Sequence, residues 1–446
     1  MTRIVFLNRF FFPDHSATSQ MLGDLAFDLA RRGNDVHVIT SRQLYDDPHA
    51  RLPEAETIGG VAVRRVSATR FGRSALLGRG LDYVSFYAAM LRQALALTGP
   101  GDILVAKTDP PLLCVPAMHA ARRRGVQLVN WLQDLYPEVA VELGVPLLQG
   151  PLGRVLFRLR DASLNAAAAN VVISPRMADK VRSRGVASDR VHLIHNWCDD
   201  EEISPIAHVD NPLRREWALE DKFVIGYSGN LGRAHEFDTV VAAAERLAHD
   251  MRVVFLIIGG GYKFDELARC VKRRNLEHLF RFAPYQARGV LKYSLAAADV
   301  HWVSLKPELE GIVVPSKFYG IAAAGRPMIA ITSADGEFAR LVREHECGLV
   351  IEPGQADALA GALTRLAADP TGLAAMGLAA RKMLDACFAR RHAIGQWCDL
   401  LASVAGARER VTRARAPAAE ITGAVAIAGS RFEAEAPVQA VVTASR

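Results

Sequence analysis

The chain has 446 residues, half of them hydrophobic, and a formal net charge of +6. That length and hydrophobic content predict a globular protein of about two domains, each large enough for its own core, and exclude a chain that is disordered throughout. The small positive charge, with no recognition motif beside it, does not indicate nucleic-acid binding. The six cysteines include no Cys-x-x-Cys pair, so neither a zinc site nor a disulfide framework is indicated, and the expected compartment is a reducing cytoplasm.

The first 200 residues alternate between strand-like and helical segments, which predicts right-handed crossovers and a parallel sheet. The first loop carries no Gly-x-Gly-x-x-Gly, so dinucleotide binding at this turn is disfavoured. The fold class is therefore α/β, and residues 1–200 are predicted to form a Rossmann-like domain. Its predicted strands span residues 4–8, 36–40, 61–66, 103–106, 126–131, 171–173 and 191–194.

A second alternating series follows a polar segment that contains proline. We interpret residues 201–214 as a linker and residues 215–385 as a second Rossmann-like domain. A helix at residues 386–404 is expected to pack back on the first domain. Residues 405–446 are expected to be a disordered tail, because Ala, Val, Thr and Pro dominate there without a stable period. Two Rossmann-like domains in series place their strand ends, and so a central cleft, between them.

Residues 303–331 contain the strongest candidate for a ligand site. An apolar strand leads into a loop with Lys306 and Glu310, and regular structure resumes at Ser316, a residue type that caps helix N-termini. This helix is predicted to stop at Gly325. A helix start at the carboxyl end of a strand, with Lys317 beside it, is typical of an anion site and in particular of a phosphate site. An ordinary strand, loop and helix with a solvated lysine would fit the same spacing.

One set of short motifs runs through both predicted domains. It comprises Phe-Phe-Pro-Asp-His-Ser-Ala-Thr at 11–18, Asp-Leu-Ala-Arg-Arg-Gly at 28–33, Gly-Tyr-Ser-Gly-Asn-Leu-Gly at 226–232, Ile-Ile-Gly-Gly-Gly at 257–261, Ala-Ala-Asp-Val at 297–300, and Val-Pro-Ser-Lys through Ala-Gly-Arg-Pro at 314–327. Together they resemble family 4 glycosyltransferases of the GT-B fold, particularly the branch of colanic-acid and O-antigen sugar transferases. The resemblance covers residues 1–404.

The resemblance implies two Rossmann-like domains facing a central cleft, and a retaining glycosyltransferase of the hexosyltransferase type. It would move a sugar from a nucleotide-sugar to a saccharide acceptor in surface polysaccharide biosynthesis, with no obligatory metal and no cofactor. A diphosphate leaving group must then be stabilised by N–H groups and cations. Two alternatives remain open: a GT-B nucleotide-sugar epimerase, and a catalytically silent sugar-binding or scaffold protein.

The donor-binding residues expected from the motifs and their chemistry are Gly229, Asn230, Gly232, Arg233, Gly261, Lys306, Glu310, Ser316 and Lys317. The sequence departs from the family pattern in two places. The usual Arg and Lys after the first strand of the second domain are Asn230 and His235 here, so the role of phosphate cation would shift to Arg233, His235, Lys306 or Lys317. The second of two family glutamates is replaced by Gly320, which leaves Glu310 as the nearby carboxylate; a solvated loop glutamate is its alternative reading.

The acceptor side is predicted at the carboxyl end of strand 126–131, where the next loop carries Asp134. We expect Asp134 to accept the proton of the acceptor hydroxyl or to hold a sugar hydroxyl. His15 in the first loop is the second catalytic candidate, because histidine titrates near neutrality. A turn residue and an exposed loop histidine are the respective alternatives.

Peripheral contact with the inner face of a membrane is the last expectation. No signal peptide opens the sequence, and no segment is apolar enough to span a bilayer. The predicted helix at 76–97 places Leu81, Val84, Tyr87, Ala88 and Leu91 on one face, and basic clusters occur at residues 122–124 and at Arg154, Arg158 and Arg160. An acceptor linked to lipid would make such docking useful, although most helices of this kind pack into a core.

Overall fold

The computed structural model describes residues 2–71 and 76–415. Its first sheet has eight strands in the order β3-β4-β2-β1-β5-β6-β7-β8, all parallel except for the β3–β4 hairpin. Apolar runs such as Ile-Val-Phe-Leu in β1 are buried on both faces, as expected for parallel strands covered by helices. The strands are β1 (Arg3–Leu7), β2 (Asp35–Ser41), β3 (Ala55–Ile58), β4 (Val61–Val66), β5 (Ile103–Lys107), β6 (Gln127–Trp131), β7 (Ala169–Val172) and β8 (Val191–Leu193).

Helices connect these strands and cover the sheet. They are α1 (Ala17–Arg31), α2 (Leu76–Leu97), α3 (Cys114–Arg124), α4 (Glu138–Glu142), α5 (Pro151–Ala166) and α6 (Pro175–Arg182). Helix α2 buries Phe86, Met90 and Ala94 in the core and leaves Leu81 and Val84 exposed. The face predicted from the sequence is therefore divided: Leu81 and Val84 are exposed, whereas Tyr87 and Leu91 pack partly against the core.

The second sheet has six parallel strands in the order β11-β10-β9-β12-β13-β14. They are β9 (Phe223–Asn230), β10 (Val253–Gly260), β11 (Phe280–Ala283), β12 (Val300–Ser304), β13 (Met328–Ile331) and β14 (Gly348–Ile351), and the helices are α7 (Pro212–Glu216), α8 (Asp238–Arg246), α9 (Phe264–Arg273), α10 (Leu291–Ala296), α11 (Lys317–Ala323), α12 (Glu337–Glu344), α13 (Ala356–Ala368) and α14 (Pro370–Met383). Helix α7 starts inside the predicted linker, because the buried Arg214 joins this domain through an ion pair with Asp299.

A π-helical turn at Leu384–Phe388 leads into the last helix, α15 (Arg390–Arg415). Trp397 of α15 lies in the core of the first domain, with its ring centroid 4.6 Å from that of Trp131. The predicted start of the tail at residue 405 is corrected, because the helix continues to Arg415. A single glycine at position 406 costs only about 1 kcal/mol in a helix, and its neighbours are mostly good helix formers. Residues 416–446 of the predicted tail lie outside the described residues.

The two domains meet through an apolar cluster and a backbone contact. Leu305, Leu309 and Ile312 of the second domain are buried among side chains of the first domain, including Leu132, Leu135 and Ile173. The Leu135 N–H donates to the Ile312 carbonyl at 3.0 Å, and Asp134 forms an isolated antiparallel bridge with Val313. The loop between β12 and α11 therefore lies against the loop after β6.

Candidate functional site

The carboxyl ends of β9, β10 and β12 lie side by side on the cleft edge of the second sheet. Gly229 and Asn230 at the end of β9 pair in register with Gly259 and Gly260 at the end of β10. At such an edge, loops from neighbouring strands can surround one ligand. The loops at 229–236, 259–263 and 304–317 therefore form the donor-side candidate site.

Glycine is required at two turns of this site. Gly261 has φ +122°, and a Cβ there would lie 2.2 Å from Asn230 Oδ1. Gly229 has φ +120°, and a Cβ there would lie 3.2 Å from Cε of Lys317. Both positions thus combine a backbone conformation that suits glycine with a close neighbour. The predicted residues Gly229, Asn230, Gly261 and Lys317 are brought together.

Lys317 is the central cation of this site. Its side chain packs on Gly229, and Nζ lies 3.0 Å from Nε2 of His235 and 5.1 Å from the ring centroid of Tyr227. Burial lowers the pKa of Lys317 to about 7, because desolvation disfavours the charged amine. A nearby anion would reverse this effect by stabilising the ammonium form.

His235 is a hydrogen-bond acceptor for this lysine. The residue is 8% exposed, and its Nδ1 lies 2.6 Å from the Ser304 carbonyl at the end of β12. Burial, followed by repulsion from Lys317, lowers the pKa of His235 to about 3. His235 is thus neutral near pH 7, and the expectation that it could replace the missing phosphate cation is wrong.

Three other predicted donor residues lie around this centre without a contact to Lys317 in the described part of the chain. Arg233 is exposed and stacks over Tyr262, with its guanidinium carbon 4.1 Å from the ring centroid. Lys306 is partly buried, and its backbone N–H donates to the Ala234 carbonyl. Gly232 lies beside the Asn230 amide, 3.5 Å from where a Cβ would be. They outline the rim of the site.

Ser316 departs from its predicted role as a side-chain cap. It occupies the N-cap position of α11, yet its backbone is already helical, at φ −65° and ψ −20°, and its hydroxyl makes no capping hydrogen bond. Side-chain capping normally needs an extended backbone at this residue. Ser316 is exposed instead.

Glu310 is anchored rather than solvated. Its carboxylate accepts hydrogen bonds from the Thr332 hydroxyl at 2.9 Å and from the Glu337 N–H at 3.3 Å. It also lines a pocket between the domains, of about 30 Å³, together with Ser174 and His195 of the first domain. Glu310 therefore faces the interdomain space with its orientation fixed.

Asp134 is the main candidate on the acceptor side. Its backbone bridge to Val313 places it against the donor-side loop, and its side chain is largely buried. Burial, with a smaller contribution from the charge of Asp109, raises the pKa of Asp134 to about 7. A carboxylate with that pKa can take up and release a proton at neutral pH.

His15, the second catalytic candidate, is placed differently. Its ring is exposed, and Nε2 lies 2.9 Å from Oδ2 of Asp46 on the surface of the first domain. The contact accounts for its position without a ligand. No structural contact joins His15 to Asp134 among the described residues.

Comparison with known proteins matches both halves of the chain to glycosyltransferase domains. Residues 17–197 match the family described as "Glycosyl transferase 4-like domain", and residues 210–383 match "Glycosyl transferases group 1". The chain belongs to the family 4 glycosyltransferases. The members of this family are glycosyltransferases. The match therefore favours glycosyl transfer over the epimerase and scaffold alternatives.

Two curated relatives and one solved structure are similar to this glycosyltransferase over most of its length. It is 28% identical to the putative colanic acid biosynthesis glycosyl transferase WcaI of Escherichia coli (strain K12), over 78% of this chain and 88% of that protein. It is also 28% identical to the probable glycosyltransferase WbjE of Pseudomonas aeruginosa, over 65% and 72%. The structure of Anabaena Alr3699/HepE in complex with UDP superposes with a TM-score of 0.66 at 16% identity, covering 90% of this chain and all of that chain. The GT-B fold predicted from the sequence is confirmed.

Proposed function

We propose that this glycosyltransferase moves a sugar from a nucleotide-sugar, with retention of anomeric configuration, to a lipid-linked saccharide acceptor in surface polysaccharide biosynthesis. The observation that carries the donor part is the Lys317 ammonium, packed on the Gly229 turn and joined to His235. As the glycosidic bond breaks, negative charge grows on the leaving diphosphate. A cation already in place stabilises that charge without further reorganisation.

The comparisons support the choice of substrate class. A relative is named for colanic acid biosynthesis, and a neighbour of the same fold was solved with UDP. For this chain we propose a nucleoside diphosphate leaving group at Lys317, with the glycine turns at 229 and 261 allowing the backbone to approach it closely. The base and the sugar would be selected by the surrounding loops.

The acceptor would enter from the first domain, where Asp134 meets the donor-side loop. A carboxylate with a pKa of about 7 is suited to receive the proton of an attacking hydroxyl. The same group could instead orient the acceptor by accepting a hydrogen bond from a sugar hydroxyl. A matched Asp134→Asn variant, which keeps the shape and removes the charge, tests this contribution.

We further propose that transfer needs no metal, because Lys317 supplies the positive charge at the leaving group. Activity should then survive addition of EDTA, measured as the rate of nucleoside diphosphate release in the presence of acceptor. A loss of activity that Mg²⁺ or Mn²⁺ restores would contradict the proposal.

Because the proposed acceptor is linked to lipid, we also propose that the protein docks to an anionic membrane surface. None of the helices in the described ranges is long and apolar enough to cross a bilayer. However, Leu81 and Val84 of α2 are 54% and 63% exposed, and α5 exposes an apolar stripe next to two exposed arginines, Arg154 and Arg158. The members of that stripe are Leu152, Val155 and Leu159. An amphipathic helix with this pattern suits the interface of an anionic leaflet.

The structure changes which basic residues can take part in that docking. Arg160 is buried and bonds to Glu138 and Asp161, so it is not free to meet lipid. Arg122, Arg123 and Arg124 end α3 at the edge of the sheet opposite to Asp134, where Arg124 donates to the Thr98 carbonyl. The proposed docking surface is therefore the exposed side of α2 and α5.

A screen of nucleotide-sugars by thermal shift tests the donor proposal. A ligand that binds only the folded chain raises its melting temperature. We expect one nucleotide-sugar, and its nucleoside diphosphate, to stabilise the wild type, and Lys317→Ala to abolish most of that shift. No stabilisation by any nucleotide-sugar or diphosphate would contradict the proposed function. The anomeric configuration of the product, read by NMR, then tests retention.

A further inference from the structure

His235 stands where the family pattern usually has a lysine, and its geometry gives it a different role. We propose that His235 is a positioning residue: its neutral imidazole accepts a hydrogen bond from Lys317 and so holds the ammonium over Gly229 for a diphosphate ligand. The inference rests on the proposed function, since it concerns the same donor site. In this arrangement Lys317 supplies the positive charge at the site, and His235 holds that charge in place.

The hydrogen-bond partners fix the tautomer of this imidazole. Nδ1 lies 2.6 Å from the Ser304 carbonyl, which can only accept, so Nδ1 must carry the proton. Nε2 of the neutral ring then presents a lone pair, and Lys317 Nζ lies 3.0 Å from it. An ammonium group has three N–H donors. One points to His235, which leaves two for oxygens of a ligand.

The residues around the pair favour this arrangement over a cationic histidine. The ring of Tyr227 in β9 faces both side chains, and Lys263 in the loop after β10 adds a further positive charge near His235. In the described part of the chain, no carboxylate is among the groups that shift the pKa of Lys317 or of His235. A protonated His235 would therefore meet Lys317 and Lys263 without a compensating charge. The neutral ring is the form that this site stabilises.

The arrangement links diphosphate binding to the protonation of Lys317. The free site holds the pKa of Lys317 at about 7, so the ammonium form is lost as the pH rises through neutrality. A bound diphosphate favours the charged amine and raises that pKa. Affinity is then highest below pH 7 and falls about tenfold for each pH unit above it, until the bound complex also loses its proton.

Replacing His235 with Gln or with Asn, two amides of different length, tests the roles of Nε2 and Nδ1 separately. In His235→Gln the amide reaches the position of Nε2 and keeps an acceptor for Lys317. In His235→Asn the amide reaches only the position of Nδ1, keeps the bond to Ser304 and loses the acceptor. Because both variants are polar and of similar size, they are matched for effects on folding.

Isothermal titration with UDP and GDP between pH 6 and pH 9 is the test, with uridine and guanosine as base-only probes. For the diphosphate that binds, we expect His235→Gln to stay within about threefold of the wild type with the same pH profile. His235→Asn should bind about tenfold more weakly at pH 7, with the fall in affinity moved to lower pH, because the ammonium has lost its acceptor. Nucleoside affinity should not change in either variant. The affinity of Lys317→Ala across the same pH range is the control, because this variant lacks the amine and any remaining pH dependence comes from ionisation of the ligand.

Two outcomes would overturn the inference, and they are distinguishable. Equal affinity and equal pH profiles for the Gln and Asn variants, with Lys317→Ala still impaired, would refute the role of His235 and leave the donor site standing. Failure of the wild type to bind either diphosphate would refute the donor site itself and the inference with it.

Discussion

Asp134→Asn should make the protein more stable and much less active. The structure holds the pKa of Asp134 at about 7, against an ordinary value of 3.8, chiefly because the carboxyl is buried. One pH unit corresponds to about 1.4 kcal/mol, so the charged form is disfavoured in the folded chain by up to about 4 kcal/mol. Since the side chain retains some exposure, we expect a gain of about 2–4 kcal/mol in the free energy of unfolding at pH 8.

The pH dependence gives the sign of this effect. A raised carboxyl pKa in the folded state means that the folded chain binds more protons than the unfolded chain between pH 3.8 and 7. The contribution of Asp134 to the free energy of unfolding of the wild type therefore falls as the pH rises through this window. Below pH 3.8 the carboxyl is protonated in both states, so the advantage of the asparagine should vanish there and be complete at pH 8.

Urea unfolding of wild type and variant at pH 4.5 and at pH 8 measures this difference, and donor turnover measured in parallel tests the catalytic role. We expect turnover to fall at least about a hundredfold, the scale typical of acid–base groups. Asp46→Asn is the control, because Asp46 pairs with His15 at the surface and should change stability by less than about 1 kcal/mol. Equal stability of Asp134→Asn and wild type at pH 8 would refute the desolvation argument, and retained turnover would refute the catalytic role.

Three further predictions concern the donor site and the docking surface. Lys317→Ala should weaken UDP or GDP binding at least about tenfold and leave uridine or guanosine binding unchanged, whereas the exposed Lys382→Ala should have no effect; calorimetry compares them. Gly229→Ala should lower stability by about 1–3 kcal/mol and impair diphosphate binding, because φ is +120° and its Cβ would press on Lys317, while Gly289→Ala, with no atom within 4 Å, is the neutral control. Sedimentation with anionic liposomes at low salt should be lost in Arg154→Ser/Arg158→Ser but kept when Arg122, Arg123 and Arg124 are changed to Ser; the reverse result would place the docking surface at the other edge of the sheet.

Most strands and long helices were predictable, because their apolar patterns have a clear period. Strand β3 was missed, although the Gly59-Gly60 pair directly before the apolar strand β4 is a hairpin signal. The Ala-Glu-Thr-Ile segment of β3 is partly exposed at the sheet edge, so it lacks the apolar run of a buried strand. The last helix was predicted too short because residues 405–415 were grouped with the Ala-, Val-, Thr- and Pro-rich segment that follows them, whereas the helix continues to Arg415.

The site was predictable in its residues more than in their roles. Gly229, Gly261 and Lys317 follow from motifs that place backbone and charge at strand ends. The role of His235 depends on the Ser304 carbonyl, 69 residues further along the chain, and no local pattern reports such a contact. The same holds for Asp134, which is buried and forms a backbone bridge with Val313 in the other domain. Long-range contacts of this kind set protonation states, and the sequence alone does not reveal them.

The most direct test of the account is transfer itself. The wild type is incubated with the nucleotide-sugar found by thermal shift and with lipid-linked saccharides extracted from membranes, and the products are analysed by mass spectrometry. We predict that one glycolipid gains the mass of a single sugar residue in step with release of the nucleoside diphosphate, and that Lys317→Ala and Asp134→Asn both suppress this product. Release of the diphosphate without any glycosylated acceptor would contradict the central claim.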